Sequence, residues 1–316
     1  MDTTDRDVEV STLAGGGEEA RERLVELVTA GLGSPHSRRA YAKALDEFLS
    51  WSRGRGAFSR LLVVAYRASL EQSGLAPSTV NLRLAAVRKL ATEAAGQGWL
   101  GEATAAAALR VKGVKRLGVR SGNWLDRAQA EQLLAAPAPA TLKGKRDRAI
   151  LALLIGCGLR RAEAATLAPR HIQQRDGRWA IVDLAGKHAR LRTVPMPAWA
   201  HRLVVEWMAA AALPASGPLF CAVAKGGAIR APAAALTPQA IYCVVKEYAT
   251  ALGAGEVAPH DLRRTFGKLA HRGGSPIEQI QLSYGHSSLT TTERYLGVRQ
   301  NFDDAPCDRL GLRLDP

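Results

Sequence analysis

Apolar residues along the chain recur mostly at helical spacing, and one stretch alternates in the manner of strands. Residues 1–18 are polar and contain the run Gly15-Gly16-Gly17, the composition of a flexible leader. A helix is expected over 19–30. Ser34-Pro35 then supplies a side-chain cap followed by a proline at the first helical position, where its missing N–H costs nothing. Tyr41, Leu45, Phe48 and Trp51 follow at helical spacing and read as core. A third helix is expected over 61–73, stopped by Gly74, and a fourth opens near Pro77-Ser78 with Val80, Leu84, Val87 and Ala91 on one face. Four helices and no strand pattern predict an all-helical domain over 19–112, and the glycine- and base-rich segment 113–123 reads as a flexible linker suited to a charged backbone.

The second domain is placed at 124–297. Asp126 and Gln129 have capping-box spacing. An apolar helix over 146–155 breaks at Gly156-Cys157-Gly158, and a new helix starts near Arg160. Residues 179–182 and 191–194 flank a polar turn holding Gly186, Lys187 and His188, with Asp176-Gly177 making an earlier turn, so a small antiparallel sheet of two or three strands is expected. Thr237-Pro238 opens a helix carrying Ile241, Val244, Val245 and Tyr248, and short helices fill 260–297. Residues 298–316 have little periodicity and read as a tail. The fold class is mainly α.

Charge narrows the partner. The 316 residues carry a net charge of +14, which favours a polyanion. It is unevenly spread: residues 1–30 hold eight acids and three bases, residues 31–120 fifteen bases and five acids. Arg38, Arg39, Lys43, Arg83, Arg88 and Lys89 stand beside the apolar faces of the first domain as candidate phosphate contacts, or else as a solvated helix surface. The four cysteines are widely separated, which suits neither a zinc site nor a disulfide framework. The acidic start of the chain lacks a signal-peptide pattern, and no apolar run reaches membrane-spanning length. A cytoplasmic protein without membrane contact is expected, bound to the nucleoid when on DNA.

Four segments could carry chemistry, and each alone has a bland reading. In GLRRAEA, Glu163 can pair with Arg160, as surface pairs do. In GKHARLRTVP, Lys187 sits at a turn, where lysine is normally solvated. In PHDLRRTFGKLAHRGG, His260 and Arg263 lie three apart at a helix start, where free N–H groups favour a phosphate; a core histidine and a surface arginine would look the same. In LSYGHSSLTTTERYLG, Tyr295 follows nine residues after His286, and a lone tyrosine is usually core.

Taken in order, these segments resemble the catalytic domain of the tyrosine recombinase family, the phage-integrase and XerC/XerD-like proteins. The resemblance covers 124–297, and SRRAYAKALDEFLSW and PSTVNLRLAAVRKL extend it to the family's SAM-like core-binding domain. It implies the DNA breaking–rejoining fold and a catalytic set of Arg160, Lys187, His260, Arg263, His286 and Tyr295, with Glu163 ordering the site. The sequence departs from the family pattern at His188, where glycine is usual, and at Ser283-Tyr284, where Leu-Leu is common; the latter is expected to alter packing. The tail also lacks the clear helix that relatives dock into a neighbouring subunit.

The chemistry fits those residue types. Two guanidinium groups can hold the non-bridging oxygens of a pentavalent phosphate, and nearby arginines would favour a phenolate nucleophile. By resemblance, His260 helps accept the Tyr295 proton, Lys187 protonates the leaving 5′-oxygen and His286 steadies the phosphate. The product is a 3′-phosphotyrosyl link that a 5′-hydroxyl can reverse without ATP. No cofactor or metal is expected: Glu163 and Asp261 are the only acids in the first and third segments, too few for a two-metal nuclease. The expected partner is double-stranded DNA, with a homotetramer joining two sites and a monomer when free, serving integration, excision or resolution. Two alternatives share the residues: a type IB topoisomerase that relaxes supercoils, and a non-catalytic DNA-binding protein on a recombinase scaffold.

Overall fold

A computed structural model describes residues 18–115, 123–186 and 191–297. The chain divides into two compact units, Met1–Val119 and Arg120–Pro316. Lys187 and His188, the leader and the tail after Gly297 therefore lie outside the described residues.

The first unit is all helical: α1 (Glu18–Ala30), α2 (Pro35–Ser52), α3 (Arg60–Gln72), α4 (Pro77–Gly96) and α5 (Glu102–Leu109). Ser34 caps α2 as expected and Ser59 caps α3, each side chain accepting a backbone N–H of the first turn. The core gathers around Phe48, whose ring meets Tyr66 edge to face at 5.0 Å. Leu45, Leu84, Val87 and Leu90 are fully enclosed beside it. Helix α5, EATAAAAL, is an addition to the expected four. Its alanines show no apolar stripe, yet Ala105 and Ala108 are small enough to bury against the unit's core. The chain beyond α5 stays attached to α4. Asn81 donates to the carbonyl of Val114 at 3.0 Å and accepts its N–H at 2.8 Å, and the Arg88 guanidinium donates to the carbonyl of Val111.

The second unit is built round α7 (Leu142–Gly156), whose residues from Ala149 to Ile155 are all buried. Helix α6 (Arg127–Ala135) precedes it, opened by the reciprocal bonds of the Asp126–Gln129 capping box. A short helix α8 (Arg161–Ala165) follows Gly158, then a three-stranded antiparallel sheet: β1 (Ile172–Arg175), β2 (Arg178–Ala185) and β3 (Leu191–Pro195). Ile181 pairs with both Ile172 and Val194, which sets the register. Helix α9 (Ala198–Ala210) packs on α7 and buries Trp207, whose indole N–H donates to the carbonyl of Leu219 at 2.7 Å.

A second antiparallel pair, β4 (Cys221–Val223) and β5 (Ile229–Ala235), corrects the expectation of a single strand region. Strand β5 reads IRAPAAA, with a proline and few β-formers. Among the described residues it pairs with β4 alone, and an edge strand tolerates the missing N–H. Four helices close the unit: α10 (Pro238–Ala251), capped by Thr237, α11 (Pro259–Arg272), α12 (Ile277–Tyr284) and α13 (Leu289–Leu296). The chain is thus mainly α with small antiparallel sheets, and among the described residues no helix is long and apolar enough to cross a membrane.

Candidate active site

The site assembles where α8, β3, α11, α12 and α13 converge. Glu163 is its electrostatic centre. It lies in the first turn of α8 with its side chain 5 % exposed. Its carboxylate accepts the backbone N–H of Arg160 at 2.8 Å and the Arg160 guanidinium at 2.6 Å. Arg160 is the N-cap residue, with extended backbone, so the pair is a capping arrangement instead of two neighbours on a helix face. Arg192, from β3, adds a two-pronged contact with both prongs at 2.9 Å, and Nη1 of Arg263 lies 3.8 Å away. Burial alone would raise the Glu163 pKa; the bonds from Arg192 and Arg160 outweigh it and hold the carboxyl below its ordinary value.

Arg263 on α11 is 1 % exposed. Its guanidinium donates to the carbonyls of Gly158 and Tyr284, each at 2.6 Å, and stacks over the Tyr284 ring at 4.3 Å. Burial, then Arg160, lower its pKa to about 10, which leaves it charged at neutral pH. Gly158 can turn the chain here because its φ is +61°, and a Cβ there would sit 2.6 Å from the Phe266 ring.

Tyr295 on α13 is half-buried, its ring 5.4 Å from that of His260, 5.2 Å from Tyr284 and 5.7 Å from His286. The Arg264 guanidinium lies 5.4 Å above the same ring, and Arg264 pairs with Asp261 at 3.1 Å. Burial raises the Tyr295 pKa to about 12; Arg263 and Arg264 pull it towards the phenolate, as expected, but do not prevail. The hydroxyl donates to the backbone carbonyl of His260 at 3.2 Å, so it is held as a neutral phenol. Both histidines are held neutral. Desolvation, then Arg264 and Arg263, lower the His260 pKa; desolvation, then Arg263 and Arg160, lower that of His286 to about 4. Nδ1 of His286 lies 3.0 Å from the hydroxyl of Thr292.

Five of the six expected catalytic residues, with Glu163, therefore meet; Lys187, the sixth, lies outside the described residues. Arg192, Tyr284 and Arg264 are partners that sequence reasoning missed. For Arg192 a signal existed: it lies two residues before the buried Val194, on the same inward face of β3, and an inward charge needs a counter-charge. The phosphate-contact candidates in the first unit divide. Arg38, Arg39 and Lys43 are exposed on α2, Arg38 also donating to the Leu32 carbonyl at 2.8 Å, whereas Arg83 pairs with Glu47 at 2.5 Å, Lys89 with Glu93 at 2.8 Å, and the less exposed Arg88 with the Val111 carbonyl.

A tyrosine set among arginines and neutral histidines is the equipment of an enzyme that attacks a phosphodiester, and the comparisons name the class. The chain belongs to the phage integrase family, whose profile matches residues 123–301 while that of the phage integrase N-terminal SAM-like domain matches 26–98. Within it the chain is a tyrosine recombinase of the XerC/XerD type, a DNA strand-transferring enzyme of site-specific recombination. A tyrosine recombinase of Synechococcus elongatus is 31 % identical over 300 residues, covering 89 % of this chain and 90 % of the relative. XerC of Mycobacterium leprae is 29 % identical over 277 residues, covering 84 % and 89 %. Among solved structures, the XerH site-specific recombinase in a pre-cleavage complex with its difH substrate matches with a TM-score of 0.66 at 19 % identity, over 93 % of this chain and 81 % of that one. A lambda integrase dimer bound to a COC′ core site gives 0.65 at 12 % identity, over 87 % and 75 %. These likenesses show the fold.

Proposed function

We propose that Tyr295 is the nucleophile of this recombinase and that Arg160 and Arg263 hold the scissile phosphate. The observation that carries the reading is the gathering of Arg160, Arg192 and Arg263 on the single carboxylate of Glu163, beside a tyrosine flanked by two neutral histidines. One carboxylate cannot neutralise three guanidiniums, so the site keeps a net positive charge for an incoming phosphodiester.

In the cleavage step the Tyr295 oxygen forms a bond to phosphorus and the bond to the 5′-oxygen breaks. The phenol holds its proton in the free protein, so a base is required, and neutral His260 is the nearest imidazole to serve. Its ring must reorient, because the hydroxyl is engaged by its backbone carbonyl in the absence of DNA. Lys187, between β2 and β3 in the sequence, delivers a proton to the departing 5′-oxygen. His286 donates to a non-bridging oxygen, its Nδ1 side steadied by Thr292. A 5′-hydroxyl from a second duplex then reverses the chemistry and rejoins the strand.

Both units are assigned to duplex DNA, the first through Arg38, Arg39 and Lys43, while Arg83, Arg88 and Lys89 are engaged within the unit. Four copies on two sites, assembled from free monomers, would exchange strands. The chain divides on this reading into a leader (1–18), core-binding domain (19–112), linker (113–123), catalytic domain (124–297) and tail (298–316). The protein would act in the cytoplasm, at the nucleoid when bound.

The test is denaturing capture of tagged protein from cells, followed by sequencing of any attached DNA, which gives the target site. A nicked duplex of that sequence should then form a denaturation-resistant adduct with purified protein in EDTA. Tyr295→Phe should retain DNA binding and lose the adduct. An adduct that survives this change removes Tyr295 from the mechanism.

A further inference from the structure

Tyr284 stands between the two groups that matter most to cleavage. It is the last residue of α12, and its side chain is completely buried. Its hydroxyl donates to the backbone carbonyl of Arg263 at 2.7 Å, while its own carbonyl accepts from the Arg263 guanidinium at 2.6 Å. The guanidinium carbon lies 4.3 Å over its ring, and the same ring meets that of Tyr295 edge on at 5.2 Å. One side chain thus touches Arg263 at backbone and head group and backs the ring of Tyr295.

The facing helix is shaped for it. At Gly267 a Cβ would fall 2.0 Å from the Tyr284 oxygen, so the hydroxyl occupies the space that any other residue would fill. An aliphatic side chain at 284 would fill volume but would offer neither a π face to the guanidinium nor a hydroxyl to α11. The substitution of tyrosine for the family's usual leucine therefore does more here than alter packing.

We propose that Tyr284 is a positioning residue for strand cleavage, seating the Arg263 guanidinium and backing the Tyr295 ring, with Gly267 left without a side chain to admit its hydroxyl. This rests on the assignment of Tyr295 as nucleophile and Arg263 as phosphate donor. It also implies that Tyr284 requires glycine at 267, where a Cβ would meet Leu296 at 2.8 Å as well.

Two readouts test it. In full-length, DNA-free protein labelled with 15N-arginine, the Arg263 Nη signals (assigned by their loss in Arg263→Lys) should be distinct and slow to rotate. In Tyr284→Leu, which keeps the backbone carbonyl but loses the ring, they should average, while Tyr284→Phe, which keeps both, should hold them. On the nicked duplex, Tyr284→Leu should slow adduct formation at saturating protein by about 100-fold, the scale of a misplaced reacting group. DNA affinity should stay within about twofold, and the loss should not multiply with that of Arg263→Lys, because both changes remove one interaction. If Tyr284→Leu folds poorly, Tyr284→Met, a flexible side chain of similar length without a π face, carries the same comparison. Unchanged Arg263 spectra, a wild-type cleavage rate, or losses that multiply would each overturn the proposal. A wild-type protein that forms no adduct would instead sink the recombinase chemistry, while the arginine spectra still decide whether Tyr284 seats Arg263.

Discussion

Glu163 carries one charge and meets three guanidiniums, so its removal exposes the stored repulsion of the site. Glu163→Gln should destabilise the second unit by about 3–5 kcal/mol, because buried cations lose their compensation; urea denaturation measures this, and an unchanged midpoint would refute it. The folded carboxyl titrates below its ordinary value, so its contribution is present above the unfolded pKa and is lost as pH falls through the folded one. His286 works in the same direction by a different route. Its folded pKa, about 4, lies below its ordinary 6.5, so the unfolded chain takes up the proton first as the solution is acidified. Stability from this group is full above pH 6.5 and is lost as pH falls towards 4. DNA should raise the His286 pKa, since an anion favours the imidazolium; NMR titration with and without the nicked duplex checks the sign. At this scale the candidate set was legible because residue types and order match a family pattern. What could not be read was the protonation state of Tyr295. Arginine proximity and burial act oppositely on a phenol, and only coordinates tell which prevails.

At the scale of elements, the site depends on how Gly158 delivers the chain into α8. Its left-handed backbone costs a substituted residue about 1–2 kcal/mol by conformation alone, and a new methyl would also press into the Phe266 ring. Because the Gly158 carbonyl holds the Arg263 guanidinium, Gly158→Ala should lower both Tm and cleavage rate. A variant that melts earlier yet cleaves normally would separate the turn from the site. Legibility among the elements follows the strength of local signals. Helix α2 was readable from Ser34-Pro35 and from the spacing of Tyr41, Leu45, Phe48 and Trp51. Helix α5 and strand β5 were not, since alanine-rich segments show no periodicity. Their state is decided by small side chains fitting against a neighbour already in place.

For the molecule as a whole, the net charge of +14 implies binding dominated by phosphate contacts. Affinity for duplex should fall by about 10³–10⁵ between 50 and 200 mM salt if 6–10 phosphates are engaged. The exposed side chains of α2 should carry part of this. Arg39→Gln or Lys43→Gln should weaken binding to all sequences and reduce the salt slope by about 1. Arg83→Gln should instead disturb the tie between α4 and α2, because its guanidinium is spent on Glu47. A fluorescence-anisotropy salt series on the three variants distinguishes these outcomes, and equal slopes for all would remove α2 from the interface.

By itself the sequence determined the two helix-rich regions, the strands at 179–182 and 191–194 and the candidate roster of Arg160, Glu163, His260, Arg263, His286 and Tyr295. These depend on local periodicity, capping residues and motif order, which are properties of short segments. Tertiary structure alone decided that Arg192 joins Arg160 and Arg263 on one carboxylate, that Tyr284 underlies Arg263, and that burial outweighs arginine charge at Tyr295. Those outcomes depend on distances between residues as far as 135 positions apart along the chain, and a carboxylate or phenol responds to what surrounds it in space.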